Sequence, residues 1–299
     1  MADDTTTTEA TSTEAAPGFI DRLSDSLQNI IKAIIGSNRK PPRRFKSLLH
    51  GTWLGHPLHP ALTDVPIGAW MMAVIFDLIW LFAPGAPEWA VRGAQVAGGV
   101  GILGALAAAV TGLADWSDSY GPERTTGLYH AALNTLALIL FIVSGALRLG
   151  TATGVSDIGV ALDILGLISV LIAAYLGGHM AFALGTGVNH SGWGESGESY
   201  EAALPVAEMP ANGLKRVVVA GAPVVMLRMG DRYYAIGATC SHAGGPLDEG
   251  ELQGDVVQCP WHGSRFNMRT GKPVTGPASI AQPRYDVRVR DGMIELRRA

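Results

Sequence analysis

Apolar positions along this chain follow two regimes. Between residues 62 and 185 they run almost unbroken in four stretches, about 62–83, 89–114, 127–149 and 156–185. Each is near the ~20 residues that a helix needs to cross the hydrocarbon core of a bilayer. Beyond residue 203 the runs shorten and become β-branched: Arg216–Val219, Val224–Leu227, Tyr233–Ile236, Val256–Gln258, Tyr285–Val289 and Ile294–Leu296. Turn signals such as Gly230-Asp231 and Asp291-Gly292 separate them, as in a small all-β domain. The pattern predicts a two-domain α + β chain: a four-transmembrane-helix bundle, then a β-domain.

The flanks refine these boundaries. Residues 1–17 are acidic and Thr-rich, have neither the basic start nor the apolar core of a secretory signal, and read as a disordered tail. Residues 18–49 hold an amphipathic helix and a basic segment. Phe19, Leu23, Leu27, Ile30, Ile31, Ile34 and Ile35 fall near one face, which suits either a helix lying on a bilayer or one packed on its own protein. The helical domain spans 50–185, a Gly-, Ser- and Glu-rich flexible linker 186–202, and the β-domain 203–299.

Thr63, Asp64 and Pro66 read as the start of the first long helix, and Ala94, Gly98, Gly101 and Ala105 give the second a small-residue face for close packing. Arg39, Lys40, Arg43, Arg44, Lys46 and Arg124 lie on one side of the four spans, against Arg92 and Arg148 on the other. The positive-inside rule makes the richer side cytoplasmic, and an even span count puts both termini there, in a multi-pass protein of the cell membrane.

Composition agrees. Of 299 residues, 48% are apolar and 16% charged, and mean hydropathy is +0.24, so a lipid bilayer is the expected surroundings. A net charge of −4 argues against general nucleic-acid binding.

The chain has two cysteines, and both sit in a metal-ligand pattern. Cys240-Ser-His242 is followed, after sixteen residues, by Cys259-Pro-Trp-His262. Two such loops can clasp a [2Fe–2S] cluster, with two thiolates on one iron and two neutral imidazoles on the other. Exchanging thiolates for imidazoles makes the site less negative and favours the reduced state, giving roughly −150 to +300 mV against about −400 mV for plant-type ferredoxins. The rival is a Cys2His2 zinc site, which usually comes as a Cys-Cys pair and a His-His pair rather than two mixed loops.

Residues 203–299 resemble a Rieske domain, down to Ala243-Gly-Gly-Pro-Leu247, Gly263-Ser264-Arg-Phe266 and the Gly276-Pro277 segment that resembles the family's third loop over the cluster. The resemblance implies Cys240, His242, Cys259 and His262 as cluster ligands, with both histidines facing the electron partner, and Ser264 as a hydrogen-bond donor to a cluster sulfur. Respiratory members add a disulfide-forming cysteine in each loop; here those positions are Gly245 and Trp261, as suits a reducing compartment. Phe266 stands where they carry a sulfur-bonding Tyr, which implies a lower potential. The domain is closer to Rieske-type ferredoxins. No further soluble domain with two His and a carboxylate for a mononuclear iron is found, so oxygenase chemistry within this chain is not expected.

His56-Pro-Leu-His-Pro60, with Asp64-Val-Pro66, resembles the opening of a small four-helix bacterial membrane domain of unknown function, over residues 50–185. His56, His59, His130 and His179 all belong to the side that carries the β-domain. Intramembrane ionisable groups point to function, and His130 and His179, at the start of the third helix and the end of the fourth, are the candidate ligands of a haem b or a quinone site. Capping, headgroup contact and interhelical hydrogen bonds are the structural alternative. Asp77, Arg92 and Asp163 are expected at similar depth near the opposite side, as an ion-pair group or a proton path.

Three functions follow: a membrane-anchored electron-transfer protein working with a redox partner protein or a quinone; a subunit of a quinol- or haem-linked oxidoreductase; and a non-redox membrane anchor with a structural metal domain.

Overall fold

The four long helices occur where the apolar pattern puts them. The structure is a computed structural model, and it describes residues 18–37, 44–85, 87–192 and 199–299. The expected tail, the basic residues Arg39, Lys40 and Arg43, and linker positions 193–198 lie outside the described residues. Two short helices, α1 (Phe19–Ile35) and α2 (Arg44–Leu49), precede α3 (Leu58–Phe82), α4 (Glu88–Trp116), α5 (Gly121–Leu149) and α6 (Asp157–Phe182). The last four are long and apolar enough to cross a membrane. Their outer faces carry exposed Leu103, Val96 and Ile158, as in helices that are apolar all round.

Two boundaries differ from expectation. The first long helix begins at Leu58, so His59 and Pro60 stand in its first turn rather than before it; a proline costs little there, since that N–H has no intrahelical partner. Pro66 lies inside the helix. α5 begins at Gly121, where Pro122 pre-sets the first turn.

The bundle is two matched hairpins. α3 packs chiefly on α4, and α5 on α6. His59 and His130, Trp70 and Phe141, and Asp77 and Arg148 hold equivalent places on α3 and α5, each pair 71 residues apart. Each pair also meets across the bundle. The histidine rings are 6.2 Å apart at 88°, Trp70 stacks on Phe141 at 4.4 Å and 2°, and Arg148 Nη2 donates to Asp77 Oδ2 at 2.6 Å. Equivalent residues that touch lie on a pseudo-twofold axis, here running along the bundle. Matched glycines admit the matched rings: a Cβ on Gly101 would come within 2.3 Å of Trp70, and one on Gly166 within 2.7 Å of Phe141. At the far end Arg148 also reaches Asp163 at 2.7 Å. The cation of this buried group is therefore Arg148; Arg92, expected there, pairs with Glu88 on the surface.

α1 reverses the usual order. Its buried residues are Ser24 and Gln28, and Gln28 donates to the carbonyls of Trp116 (2.8 Å) and Ser119 (2.9 Å) at the α4–α5 turn. Arg124 pairs with Asp21 and Asp25. Phe19, Ile30 and Ile34 point outward.

The C-terminal domain comprises β1 (Glu201–Pro205), β2 (Leu214–Val219), β3 (Ala222–Met229), β4 (Arg232–Gly237), β5 (Glu251–Gln253), β6 (Val256–Gln258), β7 (Arg265–Asn267), β8 (Pro273–Thr275), β9 (Arg284–Arg290) and β10 (Met293–Arg298). They form a six-stranded sheet, ordered β1-β10-β9-β4-β3-β2, and a four-stranded antiparallel sheet, β5-β6-β7-β8. The small sheet, absent from the apolar pattern except for β6, is built of three-residue strands too short to show alternation.

Candidate metal centre

Two loops project from the β-domain toward α2 and the α4–α5 turn, and they have the same construction. Cys240 N–H donates to Gly245 O (2.8 Å) and Cys259 N–H to Ser264 O (2.8 Å). Gly244 N–H returns to Cys240 O (2.9 Å), and Gly263 N–H to Cys259 O (3.1 Å). Each fourth residue after the cysteine is left-handed, φ +80° at Gly244 and +76° at Gly263, a conformation that favours glycine. The turns aim both thiols inward, where both are buried and neither is in a disulfide. The neighbouring Cys259, then burial, hold the Cys240 thiol far above its usual range.

His242 and His262 stand beside them with ring centres 4.9 Å apart. The Nδ1 of His242 is buried without a hydrogen-bond partner, and burial pushes its pKa down to about 3, so the ring is neutral. An orphaned buried acceptor normally costs about 1–3 kcal/mol. Two buried thiols, a second imidazole and this bare nitrogen form the donor set of a mixed cysteine–histidine metal site, and they fit a [2Fe–2S] cluster.

Ser264 is fully buried, and its Oγ accepts from Ala278 N–H at 3.0 Å, which leaves its hydroxyl hydrogen to donate. Phe266, also fully buried, shares a core with both cysteines, Leu247 and Val257. A Cβ on Gly245 would lie 2.8 Å from Cys259 Sγ and 3.1 Å from the Trp261 ring. A tryptophan lying on a glycine thus joins the two loops at the positions where respiratory relatives place cysteines.

The histidine side of the site faces the helical domain. Tyr120, in the α4–α5 turn, stacks on His262. Gly276 N–H donates to Ser47 Oγ at 3.1 Å and Thr52 Oγ1 to Ala278 O at 3.3 Å. His190 N–H donates to Ser241 O at 3.2 Å. Beneath this contact His50, unnoticed in the sequence, is 2% exposed; its Nδ1 donates to Asp115 at 2.6 Å, and its Nε2 lies 3.5 Å from Asp118. Lys46 Nζ pairs with Asp118 at 2.9 Å.

A cavity of about 640 Å³ runs from His242 and Ser241 into the bundle, past His50, His59 and His130, as far as Trp70. Of the two histidines expected to face each other, His130 lines it, whereas His179 is exposed and outside its lining. His130 packs over Gly177; two residues on, at ~100° per residue, His179 points about 200° away. The ring that meets His130 is His59.

The fold and site define a Rieske-type electron-transfer domain carried on a four-helix bundle. Residues 199–286 match the Rieske [2Fe-2S] domain family, and residues 55–190 match the family described as "Predicted membrane protein (DUF2231)". Ferredoxin CarAc of Metapseudomonas resinovorans is 38% identical over 89 residues, 29% of this chain and 83% of that protein. The 3-phenylpropionate/cinnamic acid dioxygenase ferredoxin subunit of Escherichia coli strain K12 is 37% identical over 94 residues, 31% of this chain and 87% of that protein. The solved ferredoxin of carbazole 1,9a-dioxygenase from Nocardioides aromaticivorans IC177 is 31% identical, covering 33% of this chain and 97% of that one, with a TM-score of 0.32. The chain belongs, through its C-terminal domain, to the Rieske [2Fe–2S] family, and that domain takes a [2Fe–2S] cluster.

Proposed function

We propose that this protein is a one-electron carrier held at the cytoplasmic face of the cell membrane, with residues 50–185 as its membrane domain and 203–299 as its redox head. Cys240 and Cys259 hold one iron, and His242 and His262 the other. With the cluster bound, the site supplies a centre that takes up and releases single electrons. The chain's own part is to bury the thiolates, to keep the imidazoles neutral, and to exclude water beneath the Gly276–Ala278 segment. The observation that carries this reading is the pair of buried thiols, neither in a disulfide, beside an unpartnered His242 Nδ1. Ser264 donates to a cluster sulfur. α1 lies in the interface, its outward apolar residues in lipid and its polar face on the α4–α5 turn. One of the named relatives is the ferredoxin subunit of a dioxygenase, which supports a redox partner protein for this head.

Purified full-length protein is expected to contain two irons per chain and to give a Rieske-type electron paramagnetic resonance signal on reduction, which Cys259→Ser abolishes. A zinc-loaded, spectroscopically silent protein would overturn the assignment. A reporter fused after residue 299 is expected to be active in the cytoplasm; activity across the membrane would reverse the orientation.

A second reading, a haem- or quinol-linked oxidoreductase subunit, is favoured by one observation: the cavity that joins His242 to the interior of the bundle.

A further inference from the structure

His59 and His130 are prepared in the same way by the two halves of the bundle. His59 Nδ1 lies 2.9 Å from the carbonyl of Ala108, and His130 Nδ1 lies 2.8 Å from the carbonyl of Ala173. A carbonyl can only accept, so each Nδ1 carries a hydrogen, and the lone pair of the neutral ring is on Nε2. One turn after each alanine comes a glycine on which the ring rests. A Cβ would come within 2.7 Å of His59 at Gly112, and within 3.2 Å of His130 at Gly177. Pinning one ring nitrogen to a backbone carbonyl is how proteins orient an imidazole that binds metal through the other. Both histidines therefore present lone pairs from equivalent places on the pseudo-twofold axis.

The spacing is that of a shared metal. Imidazole nitrogens bind a metal at about 2 Å, so two rings on opposite sides of one ion have centres roughly 6 Å apart; here they are 6.2 Å apart. Two ligands do not complete a bare ion's shell, and among the described residues no group of three or more His, Cys, Asp or Glu is placed to do so. A planar macrocycle supplies the other four ligands itself, and its two faces are alike, as a site on a twofold axis requires. The surrounding cavity, about 640 Å³, falls in the usual range of about 300–1,000 Å³ for cofactor sites. Its walls are kept low by Ala105, Ala109, Ala174 and Gly178, and Ser279 adds a hydroxyl to the lining.

We infer that His59 and His130 are the axial ligands of a haem b bound in this cavity, next to the Rieske head. The Asn134 amide lies 3.2 Å from His130 Nε2 and moves aside when that nitrogen binds iron, keeping its 2.9 Å bond to His130 O. A quinone fits the same space less well. Its carbonyl oxygens need donors, and both imidazoles offer acceptors. The site deepens the haem-linked reading and uses none of the proposed cluster ligands.

The test uses the full-length protein, expressed with a haem precursor and purified in detergent. One haem per chain is expected by pyridine haemochrome, with the low-spin optical spectrum of two histidine ligands. His59→Ala and His130→Ala should each abolish that spectrum; His179→Ala should keep it. His59→Met guards against simple misfolding, because it should retain haem with a shifted spectrum. The same measurements in a Cys259→Ser background separate this proposal from the cluster assignment: haem should stay when the cluster is lost. A protein with full iron–sulfur content and no haem overturns the inference, as does haem that keeps its spectrum in both alanine variants. Quinone recovered from haem-free protein assigns the cavity to that carrier instead.

Discussion

Tyr120 and His262 stack with ring centres 5.2 Å apart and planes 17° from parallel, although one belongs to the helical domain and the other to the β-domain. The histidine edge of a Rieske-type site was expected to face a partner. Here it faces its own chain: Tyr120 covers His262, and His242 lines a cavity that continues into the bundle.

Removing the Tyr120 ring should uncover that edge. Tyr120→Ala is expected to retain two irons per chain while the reduced cluster is oxidised several-fold faster by ferricyanide, a soluble oxidant. Stopped-flow absorbance measures the rate. An unchanged rate would mean that the stack does not limit access.

Phe266 tests the tuning of the cluster. It is fully buried in one core with Cys240 and Cys259, and its ring cannot donate a hydrogen bond. A hydroxyl that bonds a sulfur should favour the reduced state by about the 0.5–1.5 kcal/mol of an ordinary hydrogen bond. For one electron this is a rise of roughly 20–60 mV. Phe266→Tyr should show it in a redox titration, with iron content unchanged; a fall or no shift would mean that position 266 does not reach a sulfur.

The seating of α2 on the α4–α5 turn, from which Ser47 reaches the head, should depend on pH through two groups of opposite sign. Burial pulls the His50 imidazole down, but Asp115 and Asp118 outweigh it and leave its pKa raised. Burial pushes Asp118 up, but His50 and Lys46 bring it to about 2. The His50 contribution is therefore complete below its unfolded pKa of about 6.5 and is lost as pH rises through the higher folded value. The Asp118 contribution is complete above about 3.9 and is lost as pH falls toward 2. That seating should be firmest between about pH 4 and 6.5. Hydrogen exchange at the Gly276 amide, which Ser47 accepts, reports it after correction for intrinsic rates. His50→Gln should flatten the alkaline limb and also weaken the acid limb, leaving only the part that Lys46 supports.

The sequence discloses these features unevenly. The two loops are legible because the candidate ligands in each are close in sequence and their spacing is chemically specific. The four long helices are legible because lipid demands apolar residues on every outward face. Pairing across the bundle is not, since an all-round apolar helix carries no phase that says which face turns inward. That is why the sequence points to His179 beside His130 and to Arg92 beside Asp77, where the structure brings His59 and Arg148. The internal duplication is visible only faintly, as His-x-Ala-Leu at His59–Leu62 and again at His130–Leu133. It becomes plain once Trp70 and Phe141 are seen to stack. Nothing local in the sequence marks His50, because its role rests on carboxylates 65 and 68 positions away in the chain.

The deepest charged group of the bundle gives the last prediction. Arg148 is 4% exposed and Asp77 2%; Arg148 bonds Asp77 at 2.6 Å, Asp163 at 2.7 Å and Ser144 at 3.2 Å. One cation between two carboxylates holds the far ends of α3, α5 and α6 together, and an apolar Arg148 leaves both carboxylates buried without it. Removing one partner of such a group costs about 3–5 kcal/mol, whereas replacing the whole group by apolar side chains of similar volume is often neutral or stabilising. Arg148→Met should therefore lower the thermal stability of the detergent-purified protein sharply. The triple variant Asp77→Leu, Arg148→Met, Asp163→Leu should recover most of the loss, and the signal of the cluster, at the opposite end of the bundle, should be the same in both. A triple variant no more stable than Arg148→Met would mean that the group is not a clamp that apolar packing can replace.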